Sequence, residues 1–290
     1  MNQSIAIIGG DLRIVKLAEM LAKDKFSIKT YALEEAESLK KIKEITLCGT
    51  IEEALQNVDF VIGPIPLSSN KQQINTPFSK KEITLKEFAL QLKGKKLIAG
   101  SIQKEFFELL QEGTEAIDLL KREELVVLNT IATAEGAIQI AMEETPRTLH
   151  GSKVLVLGFG RVGKILANML KGIGVNVYCE ARKDADLAWI KAYGYEPVRL
   201  KKMKEQLNQF DIIMNTIPAL VLGKEELTKM KQDSIIIDLA SNPGGVDKLE
   251  AKKQGIKMIW ALSLPGKVAP ITSAEFIKDT IYHVLQENEK

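Results

Sequence analysis

Residues 153–163 read Lys-Val-Leu-Val-Leu-Gly-Phe-Gly-Arg-Val-Gly, an apolar run that enters Gly158-x-Gly160-x-x-Gly163 and then gives way to a helical pattern. A strand is predicted over Lys153–Leu157, a helix over Val162–Gly172 and a second strand over Val175–Cys179. Between two strands and before a helix, the three glycines have separate physical tasks. Gly158 permits the tight turn, Gly160 lets a pyrophosphate approach the backbone, and Gly163 lets helix and strand pack closely. The amides that open the helix then face the phosphates, aided by the helix dipole. The plainer reading is a glycine set that serves packing alone; the flanking strands favour a nucleotide. Gly158, Phe159, Gly160, Arg161, Val162 and Gly163 are therefore expected at a cofactor.

The turn lies near the middle of a chain of 290 residues, a length that suits two domains. Strand-like and helix-like runs alternate throughout, the pattern of parallel α/β architecture. The first half is predicted to hold strands near Ser4–Ile8, Ile28–Tyr31, Phe60–Gly63, Lys96–Ala99 and Leu125–Leu128. Its helices are predicted near Leu12–Lys23, Ile51–Gln56, Leu85–Leu92 and Lys104–Gln111, with a long loop from Pro64 to Glu82. In the second half, strands follow near Ile212–Asn215, Ile235–Asp238 and Met258–Ala261. Helices are predicted near Leu187–Tyr193, Met203–Gln209, Lys224–Met230 and Lys248–Gln254. Thr133–Glu144 reads as one helix between the halves, and a last helix covers about Thr272–Glu287.

The fold class expected is α/β, with two Rossmann-like parallel-sheet domains and a cleft between them that would hold substrate. The boundaries drawn are a substrate-binding domain over 1–130, a crossing helix within 131–147, and an NAD(P)-binding domain over 148–268. A C-terminal helix, 269–290, is expected to return to the first domain.

Forty basic against 38 acidic residues leave a formal charge of +2, which gives no electrostatic case for nucleic acid or a membrane surface. The two cysteines, Cys48 and Cys179, are far apart and join no Cys/His cluster, so neither a metal nor a disulfide framework is expected. With no signal-peptide pattern and no membrane-length apolar run, the expectation is a cytoplasmic protein. Association of the chain with itself is left open.

The first domain opens Ile5-Ala-Ile-Ile-Gly9-Gly10-Asp11-Leu12-Arg13, a similar turn without its third glycine. Asp11 would repel a phosphate, so no second dinucleotide is expected. Arg13 at a strand's carboxyl end suits a carboxylate ligand held bidentately. The alternative makes Asp11 a helix cap and leaves Arg13 solvated. After the second strand of the later domain comes Glu180-Ala181-Arg182-Lys183. An acidic residue there usually binds the ribose 2′-hydroxyl of NAD, whereas an arginine accommodates the 2′-phosphate of NADP. The adjacent cations Arg182 and Lys183, beside Ala181, favour NADP; Glu180 keeps NAD open. Two more strand ends carry loop chemistry, Thr216-Ile217-Pro218 and Leu239-Ala240-Ser241. Both are expected beside the cofactor, because ligands of open α/β sheets lie outside the carboxyl ends of strands.

Seven segments together resemble the A subunits of dipicolinate synthase, sporulation enzymes of endospore-forming bacteria. They are Gly9–Arg13, Thr133-Ala-Glu-Gly136, His150-Gly151, Leu157–Gly163, Asn215-Thr-Ile-Pro-Ala-Leu220, Ile237-Asp-Leu-Ala-Ser-Asn-Pro-Gly-Gly245 and Leu264-Pro-Gly-Lys-Val-Ala-Pro270. The resemblance spans nearly the whole chain. It implies oxidation of dihydrodipicolinate to pyridine-2,6-dicarboxylate with NADP as acceptor, in the mother cell, and a partner in the form of a flavoprotein-like B subunit. A small dicarboxylate needs cationic and hydroxyl partners, and the candidates are Arg13, Asp11, Ser68, Ser69 and Asn70. Thr133 is a further candidate, and Glu135 is a candidate proton acceptor or else a carboxylate at a helix start.

Three other readings compete. A 2-hydroxy-acid dehydrogenase would use a histidine near the loop after the last cofactor-domain strand, and Ser263–Pro270 contains none. The chain's histidines are His150, before the first strand of that domain, and His283, in the last helix. A non-catalytic subunit that senses NADP and regulates a partner is the reading from another class; a dehydrogenase acting on another small carboxylate is a further enzymatic alternative.

Overall fold

A computed structural model describes residues 4–287; positions 1–3 and 288–290, the outer ends of the predicted first and last segments, lie outside the described residues. The chain forms two compact units, one of residues 1–128 with 269–290, the other of 129–268.

In the first unit, β1 (Ser4–Ile8), α1 (Leu12–Lys23), β2 (Ser27–Tyr31), β3 (Ile45–Leu47), α2 (Ile51–Leu55) and β4 (Phe60–Ile62) come first. They are followed by α3 (Leu85–Gln91), β5 (Lys96–Ala99), α4 (Lys104–Phe107) and β6 (Glu115–Asp118). The six strands are parallel in the order β3-β2-β1-β4-β5-β6. Side chains alternate across the sheet. Ile5 and Ile7 pack on one side with Ile14, Leu17 and Leu21 of α1; Ala6 and Ile8 pack on the other with Phe88 of α3 and Phe106 of α4. Helices cover both faces, which is why these strands read as continuous apolar runs.

The second unit contains β7 (Lys153–Leu157), α6 (Arg161–Gly172), β8 (Asn176–Ala181), α7 (Asp184–Ala192), β9 (Glu196–Arg199), α8 (Leu200–Met203) and β10 (Ile212–Asn215). It continues through α9 (Lys224–Leu227), β11 (Ile235–Asp238), α10 (Lys248–Lys253), β12 (Lys257–Trp260) and α11 (Leu264–Val268). Its parallel order is β12-β11-β10-β7-β8-β9, so each sheet has the doubly wound 3-2-1-4-5-6 arrangement. The two-Rossmann α/β fold class is thereby observed. The strand order reverses beside β1 and beside β7, which puts a crevice at the carboxyl ends of those strands.

α5 (Glu123–Glu144) starts in the first unit and runs into the second; α12 (Pro270–Glu287) lies in the first. By length and composition α5 could cross a membrane, yet Leu125, Thr130, Ala132, Ala134, Ala137 and Ala141 are buried within the protein. Gly136 allows a close pass: a Cβ there would stand 3.2 Å from Leu264 of α11.

Several sequence expectations require correction. Leu125–Leu128 is helix, not strand, because this aliphatic stretch is the second turn of α5, whose first turn carries Glu123 and Glu124. The helix expected from Thr133 therefore begins at Glu123. The last strand of the first sheet is β6, which together with β3 and β9 was not predicted. The expected Met203–Gln209 helix is instead short α8 followed by a single tight turn at Leu207–Gln209. The Pro64–Glu82 loop is ordered: Ile74 N–H donates to Ile83 O at 3.0 Å, Leu85 N–H donates to Gln72 O at 2.9 Å, and Ile74 is buried.

Candidate functional site

The turn after β7 has the form its glycines require. Gly158 has φ +91°, and a Cβ there would lie 2.6 Å from Thr216 Oγ1. At Gly163 a Cβ would lie 2.1 Å from Gly158 O, so α6 rests directly on the turn. Gly160, the residue that caps α6, has open space where its Cβ would be. Two glycines thus close the turn and the middle one leaves it open, which is the arrangement a pyrophosphate needs. The residues present fit a dinucleotide.

A cavity of about 360 Å³ lies against this turn. Gly158, Phe159 and Gly160 form one wall, Thr216, Ile217 and Pro218 a second, and Glu180, Ala181, Arg182, Lys183 and Asp186 a third. The other expected cofactor residues stand outside it: Arg161, Val162 and Gly163 open α6, and Leu239, Ala240 and Ser241 follow β11. Glu180, on the third wall, is tied to the turn itself. Its side chain is buried, and Oε2 accepts from Gly158 N–H at 3.3 Å. Oε1 has no hydrogen-bond partner among the described residues. Burial pushes the carboxyl above the ordinary carboxylate range, although the Gly158 N–H and the Arg182 charge oppose it.

Two residues outside the expected set fix the loops. Asn215 and Asp238, the last residues of β10 and β11, are fully buried. Asn215 Nδ2 donates to Asp238 Oδ1 at 2.8 Å and to Ile217 O at 3.0 Å, while Oδ1 accepts from Ile217 N–H at 3.1 Å. Asp238 also accepts from Ala240 N–H at 3.1 Å and Gly245 N–H at 2.9 Å. Gly245 must be glycine in this packing, because a Cβ would lie 2.3 Å from Asn215 Nδ2. Trp260 Nε1 donates to Ala240 O at 2.9 Å and carries Lys248 Nζ over its ring at 3.0 Å. The signal for this network was present in the sequence: a lone polar residue ends each of two wholly apolar strands.

In the first unit the corresponding turn is covered. Gly10 N–H donates to Asn75 O at 2.8 Å, and a Cβ at Gly9 would meet Thr76 Cγ2 at 2.9 Å. The Pro64–Glu82 loop thus occupies the place where a pyrophosphate would approach. Asp11 caps α1, accepting from Arg13 N–H at 3.0 Å. Most of the Arg13 fork is engaged within the unit: Nε donates to both Asp11 carboxylate oxygens at 3.0 Å and Nη2 to Oδ2 at 2.7 Å. Nη2 also donates to Ile65 O. Arg13 is buried, so the solvated alternative fails as well.

Ser68 and Asn70 are likewise engaged within their loop. Ser68 Oγ accepts from Lys71 N–H at 2.9 Å and donates to Asn70 Oδ1 at 3.3 Å, and Asn70 Oδ1 accepts from Gln72 and Gln73 N–H at 2.9 Å. Ser69 and Asn70 line a polar cavity of about 400 Å³ with Gln73, Asn75 and Lys80. Gln103, absent from the expected set, donates from Nε2 to Ser68 O at 3.3 Å and keeps a buried, unpartnered Oε1 among the described residues. On α5, Thr133 Oγ1 donates to Asn129 O at 3.0 Å. Glu135 is exposed on the same helix and well inside it, so it is not a helix-start carboxylate.

Comparison with known proteins agrees with this division. Residues 4–120 match the family model for the N-terminal domain of the dipicolinate synthase A subunit, and residues 118–244 match "D-isomer specific 2-hydroxyacid dehydrogenase, NAD binding domain". The chain is 33% identical to the dipicolinate synthase A subunit of Bacillus subtilis (strain 168), over 98% of this chain and 96% of that protein. The crystal structure of the dipicolinate synthase A subunit from Bacillus halodurans superposes with a TM-score of 0.86 at 30% identity, covering 98% of both chains. The A chain of dipicolinate synthase from Bacillus subtilis superposes at 0.85 and 31% identity, covering 99% of this chain and 97% of that one. The second unit is a nicotinamide-binding, dehydrogenase-type domain, and the chain is an oxidoreductase. It belongs to the family of dipicolinate synthase A subunits.

Proposed function

We propose that this chain oxidises dihydrodipicolinate to pyridine-2,6-dicarboxylate with NADP as hydride acceptor, in the mother-cell cytoplasm during sporulation and in partnership with a B subunit. A nicotinamide held at this turn would supply the hydride acceptor; with a base to receive the proton, the substrate ring would gain aromaticity, so positioning by the chain would supply much of the acceleration. Family membership supports the reaction. One observation carries the cofactor choice. Glu180 Oε2 is engaged by Gly158 N–H, and the exposed cations Arg182 and Lys183 stand on the same cavity wall, with Glu180, Ala181 and Asp186. A ribose 2′-phosphate is favoured by those cations and a bare 2′-hydroxyl gains little from them.

The chain's own residues have separable tasks. Gly158 and Gly160 admit the pyrophosphate, and Asn215 and Asp238 hold the 216–218 and 239–245 loops in place. Substrate carboxylates are assigned to Ser69 and to Arg13 Nη1, which makes no hydrogen bond among the described residues. Ser68, Asn70 and Asp11 act by shaping that segment. Glu135 is assigned as proton acceptor on α5, with Thr133 on the same helix.

The test is turnover by the purified chain given aspartate semialdehyde, pyruvate, a dihydrodipicolinate-forming aldolase and NADP, with and without the B subunit. Dipicolinate and NADPH in equal amounts are expected. NADP binding without product in both arms would move the assignment to a regulatory, NADP-sensing subunit.

A further inference from the structure

The tip of β8 is not the edge of the basic surface. β9 pairs with β8 so that Arg199 stands opposite Ala181, and the chain turns there into α8. Arg182, Arg199 and Lys201 line a second cavity of about 310 Å³ with Ala181 and Leu200. Ala181 and Arg182 line the dinucleotide cavity as well, so the two cavities adjoin at the strand tips. Among the described residues no acidic one lines the second cavity. Arg199 nevertheless has a carboxylate partner: Nη2 donates to Asp184 Oδ1, in the first turn of α7. Both side chains are more than half exposed, at 55% and 80%. An ion pair that exposed contributes little, and a phosphate dianion is a stronger partner for the guanidinium fork.

We propose that this second cavity is a phosphomonoester subsite for the 2′-phosphate of NADP, built by Arg199 and Lys201 with Arg182, and that Asp184 is its internal competitor. The proposal rests on the dinucleotide reading of the second unit. In the absence of ligand Asp184 holds Arg199; the 2′-phosphate displaces it. Discrimination between NADP and NAD is therefore the net result of gaining a phosphate partner and losing a carboxylate partner at one guanidinium.

Calorimetric titration of the full chain with 2′,5′-ADP and with 5′-ADP separates these elements without turnover. Wild type is expected to prefer 2′,5′-ADP. Arg199→Ala is expected to weaken 2′,5′-ADP by roughly tenfold or more, the loss of one charge-assisted pair, and to leave 5′-ADP unchanged. Asp184→Asn is expected to tighten 2′,5′-ADP several-fold through removal of the competitor, and that gain should vanish in the double variant. Arg199→Lys retains the charge without the fork and should fall between. Both positions are exposed, and unchanged melting temperatures will show that the variants fold.

A preference for 2′,5′-ADP that survives Arg199→Ala overturns the subsite, and an unchanged affinity in Asp184→Asn overturns the competition. Equal binding of the two probes by wild type also overturns the proposal while leaving the dinucleotide reading standing. Binding of neither probe defeats both. Inorganic phosphate, titrated alone, should bind far more weakly than 2′,5′-ADP; equal affinity would show a general anion site and contradict the assignment.

Discussion

Burial holds the Glu180 carboxyl above the ordinary carboxylate range, and one of its oxygens is unpartnered among the described residues. The folded chain therefore binds this proton more tightly than the unfolded chain. Its contribution to stability is fully present below the ordinary carboxylate pKa and is lost as pH rises through the raised value. Glu180→Gln keeps an acceptor for Gly158 N–H and removes the charge. The variant is expected to match wild type in acid and to melt higher at neutral pH, by the equivalent of about 1–3 kcal/mol. Thermal melts across that pH range check it; a difference independent of pH would mean the charge is not the cause. At this scale sequence reading recovers glycines better than polar partners. Gly158 and Gly163 are determined by local backbone and close approach. Whether Arg13 pairs with a ligand or with Asp11 two residues away depends on how the 64–68 segment returns over it, which no local pattern contains. Asn215 and Asp238 stand out in the sequence as the polar ends of apolar strands, but their partners, each other and the loop amides, are brought together only by the sheet.

Asp24 ends α1, where a carboxylate opposes the helix dipole. α12 supplies the compensation: Tyr282 Oη donates to Asp24 Oδ2 at 2.5 Å and Lys278 Nζ donates to it at 3.0 Å. The Tyr282 hydrogen bond, ahead of the Lys278 contributions, holds the Asp24 carboxyl below its ordinary range. The stability this provides is present above the ordinary carboxylate pKa and is lost as pH falls through the depressed value. Tyr282→Phe is expected to cost about 1 kcal/mol near neutrality, with the deficit shrinking in acid. A deficit that persists undiminished at low pH would assign the loss to packing beside Phe26. The elements that sequence reading located are those with a long apolar stripe and local stop signals, such as α1 and β7. It missed β3, β6 and β9, short strands at or near the sheet edges whose residues are largely exposed or half-buried. Missing β9 also concealed Arg199, because a residue's place at a strand tip is visible only once the strand is known.

The chain leaves its first unit through α5 and returns to it with α12, building the same doubly wound sheet twice but leaving only one of the two opening turns free. In the second unit Gly160 faces open space; in the first, Asn75 and Thr76 cover Gly9 and Gly10. The missing third glycine marks this asymmetry in the sequence; the obstruction in the structure is the 64–82 loop, while the Asp11 carboxylate is paired with Arg13. One fold repeated twice thus gives one dinucleotide turn and one polar, loop-filled domain, a division that suits hydride transfer from a small carboxylate to a nucleotide. Isotopic labelling follows this transfer directly. Dihydrodipicolinate deuterated at its sp³ ring carbons, oxidised by this chain with NADP, should yield NADPH that carries one deuterium, measured by mass spectrometry against dipicolinate formed. Dipicolinate accumulating with unlabelled NADPH, or with none, would contradict the account.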